Sequence, residues 1–172
     1  MKAAVFDVDG VLIYSVERYN YAVTRAGCTD CPRFWRLFLD PRVVVELDRP
    51  RLLGVELARL RAFQGIKILV VTGRPENLRR ATLAQLREAG IRPARLLMRG
   101  PGDSRPEPVV KRDAVETLIY EGYEVAEIHD DNVDSLHAAG GVARSATLVL
   151  HSDDTCMVYR RGLLAPPNPC RG

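Results

Sequence analysis

Two carboxylates stand at the end of the first apolar segment of the chain, and their spacing indicates chemistry with a metal ion. Asp7 and Asp9 follow this segment and precede Gly10. Carboxylates two residues apart on an extended strand point to the same side and repel each other. A divalent cation relieves that repulsion, and Mg²⁺ binds hard oxygen ligands together with water and phosphate. Gly10 permits a sharp turn away from the strand, so the sequence predicts a magnesium site at this turn.

Three further segments carry polar groups in positions that chemistry could use. Thr72 and Gly73 end a second apolar segment, and a hydroxyl with free backbone N–H groups at a strand-to-helix turn forms an anion site. A helix N-cap is the other interpretation of such a threonine. Lys111 lies at the start of a predicted helix, and Asp130 and Asp131 end another apolar segment. Each segment alone also fits a capping or surface role, but the segments together, in this order, indicate one catalytic site.

Apolar segments that alternate with helical patterns supply the elements that would position these groups. The predicted strands are 2–9, 66–72, 94–98, 124–129 and 146–150. Their apolar runs are continuous, which is typical of parallel strands covered on both faces. Apolar positions at helical spacing lie between them, over 53–60, 78–89 and 110–118. This alternation predicts an α/β fold: a doubly wound three-layer sandwich with a mostly parallel five-stranded sheet and the reactive groups at the carboxyl ends of the strands.

The domain organisation follows from length and from one long connection. The chain has 172 residues, the length of one domain, so residues 1–172 are predicted to form a single domain. Residues 11–50 are too many for one crossover helix, and they predict a small, helical, cap-like insertion after the first strand. This insertion is well placed to act as a lid, and additional core packing is the alternative. Residues 164–172 contain three prolines and are expected to form a flexible tail.

Composition excludes several classes of protein. Hydrophobic residues make up 47% of the chain and charged residues 27%, the balance of a globular protein rather than a disordered one. The apolar runs are far shorter than the ~18 residues of a membrane span, and Asp7 follows the start too closely for a signal peptide. We therefore expect a cytoplasmic protein without membrane association. The net charge of +3 is too small for a dedicated nucleic-acid coat.

The four cysteines could bind zinc, pair as disulfides or stay free, and the sequence does not decide between these states. Cys28 and Cys31 form a C-x-x-C pair, whereas Cys156 and Cys170 are separated by thirteen residues. A zinc site would require two pairs at matched spacing. Free, partly buried thiols are the expectation for a cytosolic protein, and a structural zinc is the alternative.

The four polar segments together resemble the haloacid dehalogenase superfamily of phosphotransferases over residues 2–150. The matching residues are Asp7-Val8-Asp9-Gly10-Val11, Thr72-Gly73-Arg74, Lys111 and Asp130-Asp131. Val11 departs from the pattern, because many members carry threonine there. The resemblance implies a phosphomonoester substrate. It also implies Mg²⁺ as the cofactor, held by Asp7, the backbone carbonyl of Asp9, and Asp130 or Asp131.

The same resemblance implies catalytic roles. Asp7 would be the nucleophile that forms an aspartyl-phosphate. Asp9 would protonate the leaving group and then activate water. Thr72 and the Gly73 amide would hold the phosphoryl oxygens, and Lys111 would neutralise charge between Asp7 and the phosphoryl group. An acid at position 9 favours a phosphatase over a dehalogenase, whose leaving group needs no proton. The intact set of charges also disfavours a catalytically silent binding module, because buried charges without a use are costly.

A second resemblance is more specific. The segments Gly102-Asp103-Ser104-Arg105 and Val109-Val110-Lys111 are similar to the phosphatase domain of polynucleotide kinases, and this similarity implies a terminal 3′-phosphate of nucleic acid as substrate. Arg74, Arg99 and Arg105 are then candidates for contacts to the substrate phosphates, with ordinary loop arginines as the alternative. The sequence contains no G-x-x-x-x-G-K-[ST] phosphate loop. A phosphatase of a small metabolite or free nucleotide remains the competing hypothesis, and no protein partner is indicated.

Overall fold

The strands of the computed structural model, which describes residues 1–164 and Cys170, form one large and one small sheet. The large sheet contains β1 (Lys2–Phe6), β4 (Lys67–Pro75), β5 (Arg95–Arg99), β6 (Glu124–Asp130), β7 (Thr147–Ser152) and β8 (Thr155–Arg160). The small sheet pairs β2 (Ile13–Tyr14) with β3 (Arg49–Pro50) in antiparallel orientation. The predicted tail, 164–172, lies outside the described residues except at its first position and at Cys170.

The large sheet has the strand order β5-β4-β1-β6-β7-β8. The first five strands run parallel, and β8 runs antiparallel to β7. The predicted count of five strands is therefore wrong by one. β8 escaped prediction because it is an edge strand whose residues alternate between half-buried and exposed positions, so it lacks the continuous apolar run of the other strands. A tight turn with Asp153 at φ 45° joins it to β7.

Helices cover both faces of the large sheet, which confirms the predicted three-layer α/β architecture. They are α1 (Val16–Ala26), α2 (Pro32–Phe38), α3 (Pro41–Leu47), α4 (Leu52–Phe63), α5 (Arg79–Glu88), α6 (Glu107–Tyr120) and α7 (Val133–Val142). Alternate residues of the central strands pack on opposite sides. Phe6 joins a core with Leu57 of α4 and Leu86 of α5, whereas Val5 joins a core with Val115 of α6. Burial of such side chains contributes about 1.5–3 kcal/mol each, and it holds the strand ends in register.

The segment 11–50 folds as its own group of elements. It contains α1, α2 and α3, of which α3 was not predicted, and the β2–β3 pair closes its base. Tyr19, Phe34, Trp35 and Phe38 pack as an aromatic cluster between α1 and α2. The helices of this segment therefore share a small core of their own beside the large sheet.

The cysteines are paired, so the expectation of free thiols is wrong, and zinc is excluded because disulfide sulfurs are not thiolate ligands. Cys28 and Cys31 are joined in the turn between α1 and α2, and Cys156 of β8 is joined to Cys170. Their Cα atoms are 6.1 Å and 5.4 Å apart, within the range that a disulfide spans.

Among the described residues, no helix is long and apolar enough to cross a membrane.

Candidate active site

The carboxyl ends of β1, β4 and β6 bring the predicted polar groups to one edge of the sheet. Phe6 pairs with Val70 on one side and with His129 on the other, and the Asp7 amide donates to the His129 carbonyl at 3.0 Å. Because the three strands are parallel and in register, the residues that follow them lie side by side. Asp7 and Asp130 are therefore neighbours although 123 positions separate them.

Lys111, in the first turns of α6, is the cation at the centre of the site. Its Nζ lies 2.9 Å from Asp7 Oδ2, 2.7 Å from Asp130 Oδ2 and 2.8 Å from Glu107 Oε1. Only 2% of the residue is exposed, so three carboxylates share one ammonium group in a region of low dielectric. Burial raises the pKa of Asp7 well above its usual value, with Lys111 opposing the shift and Asp130 adding to it. The site therefore lacks positive charge.

Three of the aspartates form a group that fits a divalent cation. Carboxylate oxygens of Asp7, Asp130 and Asp131 lie within 4.8 Å of one another. Asp7 Oδ1 is buried, and no described residue hydrogen-bonds to it. Gly10, at φ +75°, makes room for this group, since a Cβ there would lie 2.1 Å from Asp131 Oδ2. An unbonded buried oxygen, hard donors and excess negative charge together suit Mg²⁺.

The side chain of Asp9 lies outside this group and is bound by two arginines instead. Its carboxylate accepts hydrogen bonds from Arg74 Nε at 2.9 Å and Arg74 Nη2 at 2.7 Å, and it also pairs with Arg18. Both arginines contact Asp48, each at 2.8 Å. Burial by itself raises the pKa of Asp9, but the charge and hydrogen bonds of Arg74, with the charge of Arg18, hold that pKa below its usual value. Asp9 is therefore an ionised carboxylate in a neutral group of four charges.

Arg18 and Asp48 are site residues that sequence reasoning missed. Arg18 lies on α1 and Asp48 follows α3, so the segment 11–50 supplies half of the four-charge group. Both side chains are fully buried, and Arg18 Nη1 also donates to the Phe38 carbonyl at 2.9 Å. A signal existed in the pattern of α1, where Arg18 falls beside the buried Ala22 on the apolar face of an amphipathic helix. A buried arginine on such a face requires a carboxylate partner.

The three arginines predicted to contact substrate have other partners. Arg74 is 2% exposed, and its guanidinium group donates to Asp9 instead of facing solvent. Arg99 donates to the carbonyls of Gly73, Asp103 and Arg105. Arg105 is exposed but pairs at 2.7 Å with Asp103 and with Asp113. The loop after β5 thus uses its arginines to hold its own shape.

Thr72 and Gly73 lie near the carboxyl end of β4. Thr72 is buried, and its Oγ1 accepts a hydrogen bond from the Arg74 amide at 3.2 Å. A Cβ on Gly73 would lie 2.8 Å from the Glu107 carboxyl group, so glycine allows α6 and Lys111 to approach the strand closely. The structure therefore places these two residues on the strand next to β1, with Gly73 against Glu107 of α6.

A cavity of about 380 Å³ opens beside the acidic group. Gly10 and Asp131 form its floor, while Tyr14, Tyr19 and Phe38 form a wall contributed by the segment 11–50. The turn between β7 and β8 and the side chain of Arg51 close the other side. This cavity adjoins the acidic group and offers both aromatic and polar contacts.

A buried hydrogen-bonded chain lies beneath the cavity. Arg51 Nη1 is 2.8 Å from His151 Nδ1, His151 Nε2 is 3.0 Å from His129 Nδ1, and His129 Nε2 is 3.3 Å from Glu127 Oε2. Since a guanidinium can only donate, each histidine must accept at Nδ1 and donate at Nε2. Burial lowers the pKa of His151 to about 2, and a positive charge on His129 or Arg51 acts in the same direction. Burial likewise lowers the pKa of His129. Both imidazoles are therefore neutral and their tautomers are determined.

The fold and this site define a phosphatase of the haloacid dehalogenase (HAD) superfamily. Residues 1–170 match the family described as HAD superfamily, subfamily IIIB (acid phosphatase), and the chain belongs to that family. The resemblance to the superfamily drawn from the sequence motifs is confirmed. No curated protein matches the sequence.

Solved structures show the same fold. A chain of the Pnkp1/Rnl/Hen1 RNA repair complex has a TM-score of 0.66 at 22% identity, covering 88% of this chain and 43% of that one. A phosphonoacetaldehyde hydrolase like protein from Oleispira antarctica has a TM-score of 0.59 at 16% identity, with 86% and 71% covered. A class C acid phosphatase from Bacillus anthracis with tungstate bound has a TM-score of 0.54 at 16% identity, with 78% and 54% covered. The chain spans less than half of the repair-complex chain.

Proposed function

We propose that the protein is a Mg²⁺-dependent phosphomonoesterase that works through an aspartyl-phosphate and acts on terminal 3′-phosphates of nucleic acid. The observation that carries the mechanism is the convergence of Asp7, Lys111 and the Asp130–Asp131 pair at one sheet edge, with Asp9 held separately two residues away. Phosphoryl transfer depends mostly on positioning and on compensation of charge. This arrangement supplies the positioning, while Lys111 and the Mg²⁺ that the aspartates would hold supply positive charge.

In the first step, a carboxylate oxygen of Asp7 attacks phosphorus and the bond from phosphorus to the leaving oxygen breaks. Lys111 stabilises the negative charge that develops on the phosphoryl oxygens. Thr72 and the Gly73 amide orient the same oxygens. Asp9 takes the proton of the substrate's phosphate monoanion and passes it to the leaving oxygen, so the product departs as an alcohol.

In the second step, water hydrolyses the acyl phosphate. Asp9, again a carboxylate, takes a proton from water, whose oxygen attacks phosphorus and displaces the Asp7 carboxylate. Arg74 and Arg18 stabilise the carboxylate form of Asp9 and fix its position. Asp7, Asp130 and Asp131 would hold Mg²⁺, which supplies positive charge to the phosphoryl oxygens when bound.

Two observations support a nucleic-acid end as the substrate. One is the Gly102–Arg105 segment before Lys111, which is similar to that of polynucleotide kinase phosphatase domains. The other is the likeness in fold to a chain of an RNA repair complex. The second candidate, a free nucleotide or small metabolite, is favoured by the cavity of about 380 Å³, whose three aromatic side chains suit a small ring.

A substrate panel separates these candidates. Purified protein with Mg²⁺ is offered a 3′-phosphorylated oligonucleotide, a nucleoside 3′-phosphate, a sugar phosphate and p-nitrophenyl phosphate. We expect the oligonucleotide to have the highest kcat/KM. Equal values for the oligonucleotide and the mononucleotide at low salt would contradict the nucleic-acid substrate, and undiminished turnover in excess EDTA would contradict the metal requirement.

A further inference from the structure

A second concave surface, separate from the cavity beside the acidic group, lies along α5. We call it the arginine groove; it has a volume of about 920 Å³ and is lined by Glu76, Asn77, Arg79, Arg80, Leu83, Arg87, Ile91, Arg92 and Pro93. Four of these nine residues are arginines and one is acidic. None of them takes part in the four-charge group or in the acidic group of the active site.

Three arginines of the groove carry uncompensated charge. Arg79 pairs with Glu76 at 2.6 Å, whereas Arg80, Arg87 and Arg92 are exposed and form no ion pair with any residue in the described part of the chain. This differs from the loop after β5, where Arg105 is neutralised by two carboxylates. The groove therefore presents free guanidinium groups, which bind phosphate oxygens in a bidentate manner.

Two of the free charges lie on one face of α5, and the third, Arg92, lies beyond the end of that helix. Arg80 and Arg87 are seven residues apart on α5, which places them on the same face about 10.5 Å apart along the axis. Leu83 lies between them and is 40% exposed. Ile91 and Pro93 continue the apolar floor towards Arg92. Positively charged side chains beside apolar ones match a polyanion whose charged groups alternate with less polar groups.

The groove is continuous with the catalytic edge of the sheet. One end of the groove is formed by residues 76–79. These residues directly follow β4, whose last residues include Thr72 and Gly73. Arg79 also donates to the Leu96 carbonyl of β5 at 3.3 Å, and β5 is the edge strand of the sheet. A chain that lies along α5 towards residue 76 therefore reaches the carboxyl end of β4, the strand that pairs with β1.

We propose that the arginine groove binds the sugar-phosphate backbone of a single nucleic-acid strand whose 3′ end occupies the active site. The proposal rests on the proposed nucleic-acid substrate and names the surface that recognises it. Arg80, Arg87 and Arg92 bind backbone phosphates, while Leu83, Ile91 and Pro93 contact sugars and bases. An acidic peptide could also pair with these arginines. The groove begins at the carboxyl end of β4, however, next to the proposed site of phosphoryl transfer, and a nucleic-acid strand carries the phosphate that this site would hydrolyse.

The test measures binding separately from hydrolysis. The probe is a fluorescein-labelled ten-residue oligothymidylate with a free 3′-hydroxyl, and anisotropy gives its Kd between 25 and 200 mM KCl (about a decade of salt). The variant R80Q/R87Q/R92Q removes the three free charges. The matched control R144Q/R161Q removes two exposed arginines that lie beyond α7 and β8, near the opposite edge of the sheet.

We expect the triple variant to bind more weakly and the slope of log K against log salt to fall by about 2, since each neutralised phosphate of a single strand contributes about 0.7. The control variant should show the same slope of log K against log salt as the wild type, within the error of the measurement. A triple variant that binds like the wild type, or a control that loses as much, overturns the proposal. Displacement of the probe by an equimolar decaglutamate peptide overturns it in favour of an acidic protein partner.

Hydrolysis of p-nitrophenyl phosphate tells the two proposals apart. The three arginines make no contact with the catalytic groups, so the triple variant should keep the wild-type kcat on this small substrate and the same thermal unfolding temperature. If the wild type binds the probe but hydrolyses no phosphomonoester, the proposed function fails while the groove assignment stands. If hydrolysis is intact and the triple variant binds normally, the groove assignment alone fails.

Discussion

Asp7 and Asp9 are only two residues apart, yet their carboxylates have opposite electrostatic surroundings. Asp7 faces one ammonium group and two further aspartates, so burial and repulsion disfavour its charge. Asp9 faces two guanidinium groups, which favour its charge. The divergence arises because β1 ends at Phe6 and the chain turns at Val8, whose carbonyl accepts from the amides of Leu12 and Ile13. The two side chains therefore no longer share the surroundings of one strand. Two chemically identical residues can thus take different roles.

Replacement of Asp9 by asparagine tests the role of the acid at the residue scale. Asp9→Asn keeps the volume and removes the transferable proton, so kcat should fall about 10²–10⁴-fold on an alkyl phosphate. The loss should be smaller on p-nitrophenyl phosphate, because a nitrophenolate leaves without protonation. The ratio of the two kcat values is the measurement, since it is independent of the fraction of protein that is folded. An equal loss on both substrates would show that Asp9 is not the acid.

Arg18 provides a second test at this scale, because it contributes charge to a group that is neutral as a whole. Arg18→Gln leaves Asp9 and Asp48 with one arginine, and Asp48→Asn leaves two arginines with one carboxylate. Each change should lower the free energy of unfolding by about 3–5 kcal/mol, the usual cost of an uncompensated buried charge.

The double variant R18Q/D48N is the control, because it restores neutrality. Urea denaturation of the wild type, both single variants and the double variant gives the coupling energy. We expect the double variant to be clearly more stable than the sum of the single losses predicts. Simple additivity would mean that the two side chains act independently, contrary to the contacts at 2.8 Å between Arg18 and Asp48.

At the scale of elements, β6 and β7 are tied together below the active site by the His129–His151 contact. His151 on β7 is buried and neutral. Arg51, at the start of α4, donates to its Nδ1, its Nε2 donates to His129 on β6, and His129 donates to Glu127 on the same strand. This chain fixes the relative position of α4, β6 and β7, and β6 carries Asp130. The segment 11–50 reaches the same region through β3, which directly precedes Arg51.

The neutral state of His151 predicts loss of stability in acid. Its pKa is about 2 in the folded protein and about 6.5 when unfolded, so between these values only the unfolded chain binds the proton. The free energy of unfolding therefore falls as pH falls below 6.5, and between pH 7 and pH 5 this group accounts for about 2 kcal/mol. His151→Gln removes the titration, so urea denaturation at the two pH values should show a drop smaller by that amount. A variant with the wild-type pH dependence would refute the assignment.

At the scale of the whole molecule, the two disulfides close loops of different size. Cys156–Cys170 spans 14 positions and ties the end of the chain to edge strand β8, whereas Cys28–Cys31 spans 3 positions within the segment 11–50. Loop entropy in the unfolded chain makes the larger loop worth about 3 kcal/mol and the smaller about 2. The expectation of free thiols rested on cytoplasmic redox conditions, and the pairing gives no support to that expectation.

Thiol titration and denaturation test this pairing. Unreduced protein in guanidinium chloride should release no thiols to Ellman's reagent, and reduced protein should release four. C156S/C170S should lower the free energy of unfolding more than C28S/C31S, by about 1 kcal/mol. Free thiols in the unreduced protein, or the reverse order of stability, would contradict the structure.

The sequence by itself determined the layers of the fold and the chain positions of the reactive groups. Continuous apolar runs identified the five parallel strands, and parallel strands place their carboxyl ends together, so Asp7, Thr72 and Asp130 could be assigned to one edge before any coordinates. Lys111 was assigned by the family motif, and the structure places its Nζ between Asp7 and Asp130. The prediction of the layers and strands is confirmed, because periodicity and strand ends are local properties of the chain.

Only the tertiary structure decided which charges neutralise which. Arg74 was predicted to face substrate and instead binds Asp9 and Asp48, and Arg18 was not predicted at all. β8 pairs at an exposed edge, and Cys170 finds a partner fourteen residues away. A sequence shows that a side chain is an arginine or a thiol, but its charge state and its partner depend on burial and on contacts between distant segments. Those are set when the layers pack, since a buried charge is stable only beside the opposite charge that folding brings to it.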